Sequence, residues 1–343
     1  MLKFFQKRWF LVSLLVLITA GLTTGTLLPE EQVNTFSSLI KPGWITSVVL
    51  FLMSFSLDSR QLKSSFRSPG PVLWASFVNF GVIPIMAWLL MSLQSTRDFA
   101  FGLMIAGSVP CTMAAASIWT RKAGGNDAVS LLVTVLTNGL CFLLTPFWLN
   151  WATTTTQTIN LDVVEMFERL LWAALVPMLA GQAVRRFPRP AQFATKHKTS
   201  ISVLAQSCML TLVFSAGLKA GGRLMANGPS PGIDAVLLVW GSCIAVHLAA
   251  MGIGSLGARL FGFQWKDLVA VSFASSQKTL PIGVLIATSE TMFGDPDFLG
   301  PGMGVPFVVF PMLMYHASQL FLDTVIADRL AEKGESVEAC SVQ

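Results

Sequence analysis

The chain has 343 residues, 53% of them hydrophobic and only 12% charged, with a formal net charge of +5 and a mean hydropathy of +0.64. A soluble domain carries about 25% charged residues, so the composition excludes a water-soluble enzyme and is that of an integral membrane protein. Its basic residues are dispersed among connections rather than gathered on one element, which sets membrane orientation above nucleic-acid binding as their purpose.

The first apolar run, Trp9 to Leu28, follows the basic start MLKFFQKR and is about 20 residues long, enough to span a bilayer. No small-x-small cleavage site follows a short core, so the run reads as a span and not as a cleaved signal peptide. Further spans are predicted at 42–57, 70–93, 99–120, 127–150, 163–184, 200–219, 233–257, 268–289 and 302–325, ten in all. The connections richest in Lys and Arg fall on one face: Lys3, Lys7 and Arg8, then Arg60, Lys63 and Arg67, then Arg121 and Lys122. The segment RRFPRPAQFATKHK, Arg259 with Lys266, and Arg329 with Lys333 continue the series. The positive-inside rule makes that face cytoplasmic and places both termini there; a bacterial inner membrane is the expected location.

The fold class predicted is an all-α polytopic membrane protein forming a single transmembrane domain over 1–343. Five spans in 1–150 and five in 163–325 enter the membrane in opposite senses, the condition for two inverted repeats, and 326–343 is left as a cytoplasmic tail. Two internal similarities fit that division. FSLDSRQL (55–62) is echoed by FSAGLKAGGRL (214–224), and RDFAFGLMIAGSVPCT (97–112) by KDLVAVSFASSQKTLP (266–281).

Pro110 and Pro281 fall near the middle of the fourth and ninth spans. A helix-interior proline leaves the carbonyl four residues back, here those of Ala106 and Gln277, without its donor. Freed backbone at membrane depth survives only inside protein or beside a wet cavity. Paired breaks in corresponding halves therefore point to a substrate site lined by Pro110, Thr112, Ser275, Ser276, Lys278 and Thr279. Lys278 lies too far from either end of its span to snorkel, and a charge at bilayer depth costs at least ~2.5–3.5 kcal/mol. Asp58, Asp127, Asp267 and Asp323 all fall at span ends, so no acidic partner is expected at its depth. A neutral amine, a fixed cation for an anionic solute and a structural lysine bonded to freed carbonyls all remain open.

Asn79 and His247 occupy similar places in the third and eighth spans. Asn79 is either a cation ligand through its amide oxygen or a polar bridge between helices; His247 faces the solute or is a satisfied core histidine without an acidic neighbour in sequence. Ser130, Thr134 and Asn138 recur at i, i+4 and i+8 on one helix face, with Ser117 upstream. That stripe either coordinates a cation or bonds back to its own helix. Cys111, Cys141, Cys208, Cys243 and Cys340 stand singly, with no CxxC pair and no His/Cys cluster at metal-ligand spacing.

Three stretches, VVLFLMSFSLDSRQLKSSFRSP, SVPCTMAAASIWTRKAGGNDAVSLLVTVLTNGLCFLLTP and ASSQKTLPIGV, resemble elements of the bile acid:sodium symporter family, most closely the branch of the seventh member of solute carrier family ten. The resemblance extends over nearly the whole chain. It implies ten helices in two inverted repeats, a panel domain of helices 1, 2, 6 and 7, and a core of helices 3–5 and 8–10 in which broken helices 4 and 9 cross. It implies solute bound between the domains and two sodium ions behind the crossing. By motif, Asn79, Ser117, Ser130, Thr134 and Gln277 take the places of sodium ligands. Two positions depart from the family: Ala116 replaces a hydroxyl ligand, and Phe273 or Ala274 stands where a glutamate bridges both sodium sites. Sodium wants hard, preferably anionic oxygen ligands, so the Lys278 ammonium is a candidate replacement for a bound cation.

The expected function is secondary transport of an organic anion by alternating access, with no organic cofactor and with Na+ or H+ as the possible coupling ion. The lipid bilayer and a small-molecule solute are the expected partners, with neither nucleic acid nor an obligate protein partner. A cation/proton exchanger of related fold and a non-transporting membrane regulator are the alternatives. A membrane enzyme is excluded, because His197, His247 and His316 form no nucleophile-base or metal constellation in sequence.

Overall fold

The computed structural model describes residues 2–58, 69–113, 115–156, 161–225, 231–289, 293 and 305–341. Among these residues helix is the regular secondary structure, with no strand. The helices are α1 (Leu2–Leu27), α2 (Glu30–Leu39), α3 (Pro42–Ser56), α4 (Pro69–Met91), α5 (Arg97–Ser108), α6 (Ala115–Lys122) and α7 (Asp127–Thr156). They continue with α8 (163–185), α9 (Pro188–Lys196), α10 (Lys198–Met225), α11 (Ile233–Leu260), α12 (Trp265–Ser276), α13 (Leu280–Thr288) and α14 (Val305–Ser341). Among the described residues, six helical stretches are long and apolar enough to cross a membrane: Glu30–Ser56, Pro69–Met91, Asp127–Thr156, Lys198–Gly222, Ile233–Leu260 and Trp265–Thr288.

Several expected boundaries move. The fifth span runs on to Thr156 and the tenth to Ser341, so Asp323 lies well inside α14 rather than at a span end. The long basic connection contains α9, opened by Pro188 at its first turn, where a missing amide hydrogen costs nothing. Arg60, Lys63 and Arg67 lie outside the described residues.

Local chemistry explains the ends. Thr96 caps α5 by accepting from the Phe99 amide, and Asp162 caps α8 by accepting from the amides of Val164 and Glu165. Gly262 at φ 69° closes α11 in a left-handed turn, in which the Phe263 amide reaches back to the Ala258 carbonyl at 2.9 Å.

The helices form two layers. In one, α1 packs along α10, and α3 packs against both α10 and α8. Gly21 and Gly25 of α1 meet Gly217 and Gly221 of α10, so that a Cβ on Gly21 would stand 2.6 Å from the Phe214 carbonyl oxygen. The paired Gly-x-x-x-Gly spacing lets two backbones touch where no hydrophobic effect drives helices together. The other layer holds α4 to α7 and α11 to α14. Every residue from Leu268 to Ala287 is buried, and that protein envelope makes irregular backbone tolerable at this depth.

Candidate functional site

Helical structure stops at Ser108 and resumes at Ala115; it stops again at Ser276 and resumes at Leu280. Contrary to the expectation from sequence, neither proline is helix-interior. Pro110 stands inside the first break and Pro281 is the second residue of α13, a position without an intrahelical donor duty. Each break is held by polar side chains from elsewhere, as buried backbone requires.

One face of α7 serves the first break. Thr145 Oγ1 donates to the Ser108 carbonyl at 2.8 Å, Asn138 Nδ2 to the Cys111 carbonyl at 2.8 Å, and Thr134 Oγ1 to the Thr112 carbonyl at 3.2 Å. The Cys111 amide donates to Thr137 Oγ1 at 3.3 Å. Ser130 points instead at Thr120, their hydroxyls 2.7 Å apart.

One face of α14 serves the second break. Gln319 clasps the Lys278 peptide from both sides, its Oε1 accepting from the Lys278 amide and its Nε2 donating to the Lys278 carbonyl, each at 2.9 Å. Tyr315 donates to the Ser276 carbonyl at 2.7 Å. The breaks touch directly, since the Thr279 amide donates to the Pro110 carbonyl at 2.9 Å.

Lys278 is 1% exposed. Its Nζ donates to the Asn79 carbonyl at 2.7 Å, to Asn79 Oδ1 at 3.1 Å and to the Val109 carbonyl at 2.8 Å, with the Phe80 ring centroid 5.4 Å away. All three oxygen partners are acceptors, and three donors are what an ammonium offers. The Asn79 carbonyl is available because of local sequence. Val78–Val82 forms a π turn in which the Ile83 amide bonds to Val78, and Pro84 supplies no amide hydrogen. The same proline frees the Phe80 carbonyl, which accepts from the Trp148 indole at 2.6 Å. Asn79 Nδ2 meanwhile donates to the carbonyls of Ala274, Ser275 and Gln277 at 3.3, 3.2 and 2.9 Å, so the amide orientation follows from its neighbours.

Behind the second break lies an acid that hydropathy alone puts at a span end. Asp323 is 0% exposed. Its Oδ1 is 2.9 Å from His247 Nε2 and its Oδ2 accepts from Gln277 Nε2 at 2.6 Å. His247, expected to lack an acidic partner, therefore has one. Its Nδ1 faces the Ser276 carbonyl at 3.2 Å. Tyr315, Gln319 and Asp323 are not among the candidates drawn from sequence, although their four-residue spacing puts them on one helix face. Among the described residues no cluster of three or more His, Cys, Asp or Glu could hold a metal ion.

A cavity of about 330 Å³ lies between the two layers. Thr112, Met113 and Thr279 to Pro281 form its inner end, α3 and α10 one wall, and α14 another, with Arg121 and Lys198 also lining it. Of the residues predicted to bind solute, Thr112 and Thr279 line this cavity, whereas Pro110, Ser275, Ser276, Lys278 and His247 do not and are buried within the protein. Of the predicted cation ligands, Ser117 lines it, and Asn79, Ser130, Thr134 and Gln277 stand behind the breaks. At the positions that depart from the family pattern, Ala116, Phe273 and Ala274 are fully buried apolar side chains.

Residues 8–332 match the model of the SBF-like CPA transporter family. Sodium/bile acid cotransporter 7 of Mus musculus is 23% identical over 336 residues, covering 94% of this chain and 92% of the relative. The protein of the same name in Danio rerio is likewise 23% identical, covering 94% of this chain and 93% of the relative. The probable sodium/metabolite cotransporter BASS4, chloroplastic, of Arabidopsis thaliana is 26% identical over 274 residues, covering 75% of this chain and 59% of the relative.

Proposed function

From the premise that the chain belongs to the SBF-like CPA transporter family, we propose that it is a secondary transporter of an organic anion, working by alternating access across an inner membrane. The observation that carries this reading is the composition of the cavity. Its inner end is formed by both helix breaks, and Arg121 and Lys198 line it without a single Asp or Glu among the described lining residues. Thr279, Leu280 and Pro281 bring the N-terminus of α13 to the cavity, where the helix dipole favours negative charge.

The two-repeat architecture is part of the proposal. Its support is that α5 and α12 are each 12 residues long, and that each leads into a break whose backbone bonds to the other. The layer of α1, α3, α8 and α10 is the panel, and that of α4 to α7 and α11 to α14 is the core. The cavity is lined by Phe10, Leu57, Arg121 and Lys198, near the connections that the positive-inside rule assigns to the cytoplasm, so the conformation is open inward with both termini cytoplasmic.

For coupling, the relatives' names carry sodium. In this chain we infer that the Lys278 ammonium supplies the charge of one such ion at the crossing. Its three acceptors are backbone and amide oxygens of the kind that coordinate hard cations. With its hydrogens committed and no place in the cavity lining, Lys278 organises the site rather than touching solute.

Proteoliposomes offered taurocholate, benzoate and succinate, and tetraethylammonium as an organic cation, test the reading. Saturable accumulation of at least one of the anions above protein-free vesicles, weakened by Lys198→Ala, is the expected result. Accumulation of organic cations alone would overturn it.

A further inference from the structure

We propose that α9 is an interfacial helix whose exposed face binds the headgroup phosphates of acidic phospholipids in the cytoplasmic leaflet. Arg186 and Phe187 join it to α8, and His197 alone joins it to α10. Such short joints hold it at the ends of two long apolar helices, on the side that the positive-inside rule assigns to the cytoplasm.

One face of α9 is fastened to the protein. Ala194 packs with Phe55 of α3 and Ile201 of α10 in a small buried apolar cluster. Arg185, itself buried, donates from Nη1 to the Phe55 carbonyl at 2.9 Å and from Nη2 to Thr195 Oγ1 at 3.2 Å. The helix is therefore held in place with or without a ligand.

The opposite face is cationic and aromatic. Arg189, Phe193 and Lys196 recur at i, i+4 and i+7, and all three are exposed, as are Arg186 and Phe187 just before the helix. Phe187 is 66% and Phe193 56% exposed, the latter with its ring centroid 4.6 Å from that of His197. No Asp or Glu occurs between Glu168 and Asp234. Among the described residues, none of Arg186, Arg189 and Lys196 pairs with a carboxylate.

The aromatic rings select lipid over a soluble polyanion. Val176, Leu179, Ala183 and Phe187 are exposed at spacings of three, four and four, so Phe187 prolongs the lipid-facing stripe of α8. The cations begin where that stripe ends, at the depth of the headgroups, where aromatic residues settle and basic residues meet lipid phosphate. Arginine offers a phosphate two parallel donors. Each such cation strengthens attachment to an anionic surface roughly fivefold, so three give a preference of about a hundredfold over a zwitterionic one. The bound lipid would hold the layer of α8 and α10 at a fixed depth, beside the cavity that Lys198 lines at the start of α10.

Hydrogen-deuterium exchange mass spectrometry of the full-length protein in nanodiscs reads α9 directly and involves no solute. With about one-quarter phosphatidylglycerol in phosphatidylcholine, the α9 amides are expected to exchange roughly tenfold more slowly than in phosphatidylcholine alone, while α11 is unchanged. About 1 M potassium chloride should remove most of that difference. Arg186→Gln, Arg189→Gln and Lys196→Gln combined are expected to abolish it, and the lipid and salt dependence of the wild type decides the matter alone if that variant does not fold. Equal exchange of α9 in the two lipids, a slowing shared by every helix, or a difference that persists in the combined variant overturns the lipid site. So does protection in phosphatidylcholine alone on adding glycerol phosphate or polyuridylate.

Discussion

Asn79 grips the chain on both sides of Lys278: its carbonyl and Oδ1 accept from the lysine Nζ, while its Nδ2 donates to the carbonyl of Gln277, the preceding residue. A π turn and a proline in α4 thereby become the support of a break in another helix almost two hundred residues later in the chain.

Lys278→Met tests whether the ammonium replaces a cation. The substitution removes a burial cost of ~2.5–3.5 kcal/mol but strands three acceptors at about 1–3 kcal/mol each, so the second effect dominates and the melting temperature falls. The three oxygens then suit a sodium ion. Sodium chloride, but not choline chloride, is expected to raise the melting temperature of Lys278→Met and to leave the wild type unmoved, with about 1.4 kcal/mol gained per tenfold excess over the dissociation constant. Equal responses of both proteins to sodium would falsify the replacement.

Asn138 and Thr145 hold the first break. Hydrogen bonds between membrane helices average about 0.6 kcal/mol with a maximum near ~1.7. Thr145→Val strands the Ser108 carbonyl and Asn138→Leu the Cys111 carbonyl, so each should cost about 1–3 kcal/mol in reversible unfolding. No measurable cost in either variant would mean that the break is not held from α7.

Gly221 packs on α1 so closely that an added Cβ would meet Gly25 Cα at 2.9 Å. Backbone cannot yield as a side chain does. Gly221→Ala is expected to lower thermal stability by about 1–3 kcal/mol, whereas Gly241→Ala, with nothing within 4 Å of its added Cβ, should be neutral. A scan of both variants by differential scanning fluorimetry in detergent distinguishes them.

Lys198 lines the cavity beside Arg121. As a charge that attracts solute without organising the breaks, it should act on affinity: Lys198→Ala is expected to raise the half-saturating anion concentration with little change in maximal rate. Added salt should shrink the difference from wild type. A lost maximal rate at unchanged affinity would instead assign Lys198 a structural part.

Class and membrane location were legible in the sequence, because lipid imposes long apolar helices regardless of partners, and the chain pays the cost of Lys278 and two prolines only where tertiary contacts offset it. The positions of the breaks were legible to within a few residues, since Pro110 and Pro281 mark them, although their helical termini lie elsewhere than a helix-interior proline implies. What could not be read was pairing. Asp323 looked peripheral because hydropathy stops near it, while α14 continues as a helix and turns the carboxylate inward to His247 and Gln277. Helical period places Tyr315, Gln319 and Asp323 on one face, but only the packing of α14 against α11 and the second break decides what that face touches. Hydrogen bonds between residues distant in sequence leave no trace in local pattern, and where the two breaks meet they determine the chemistry.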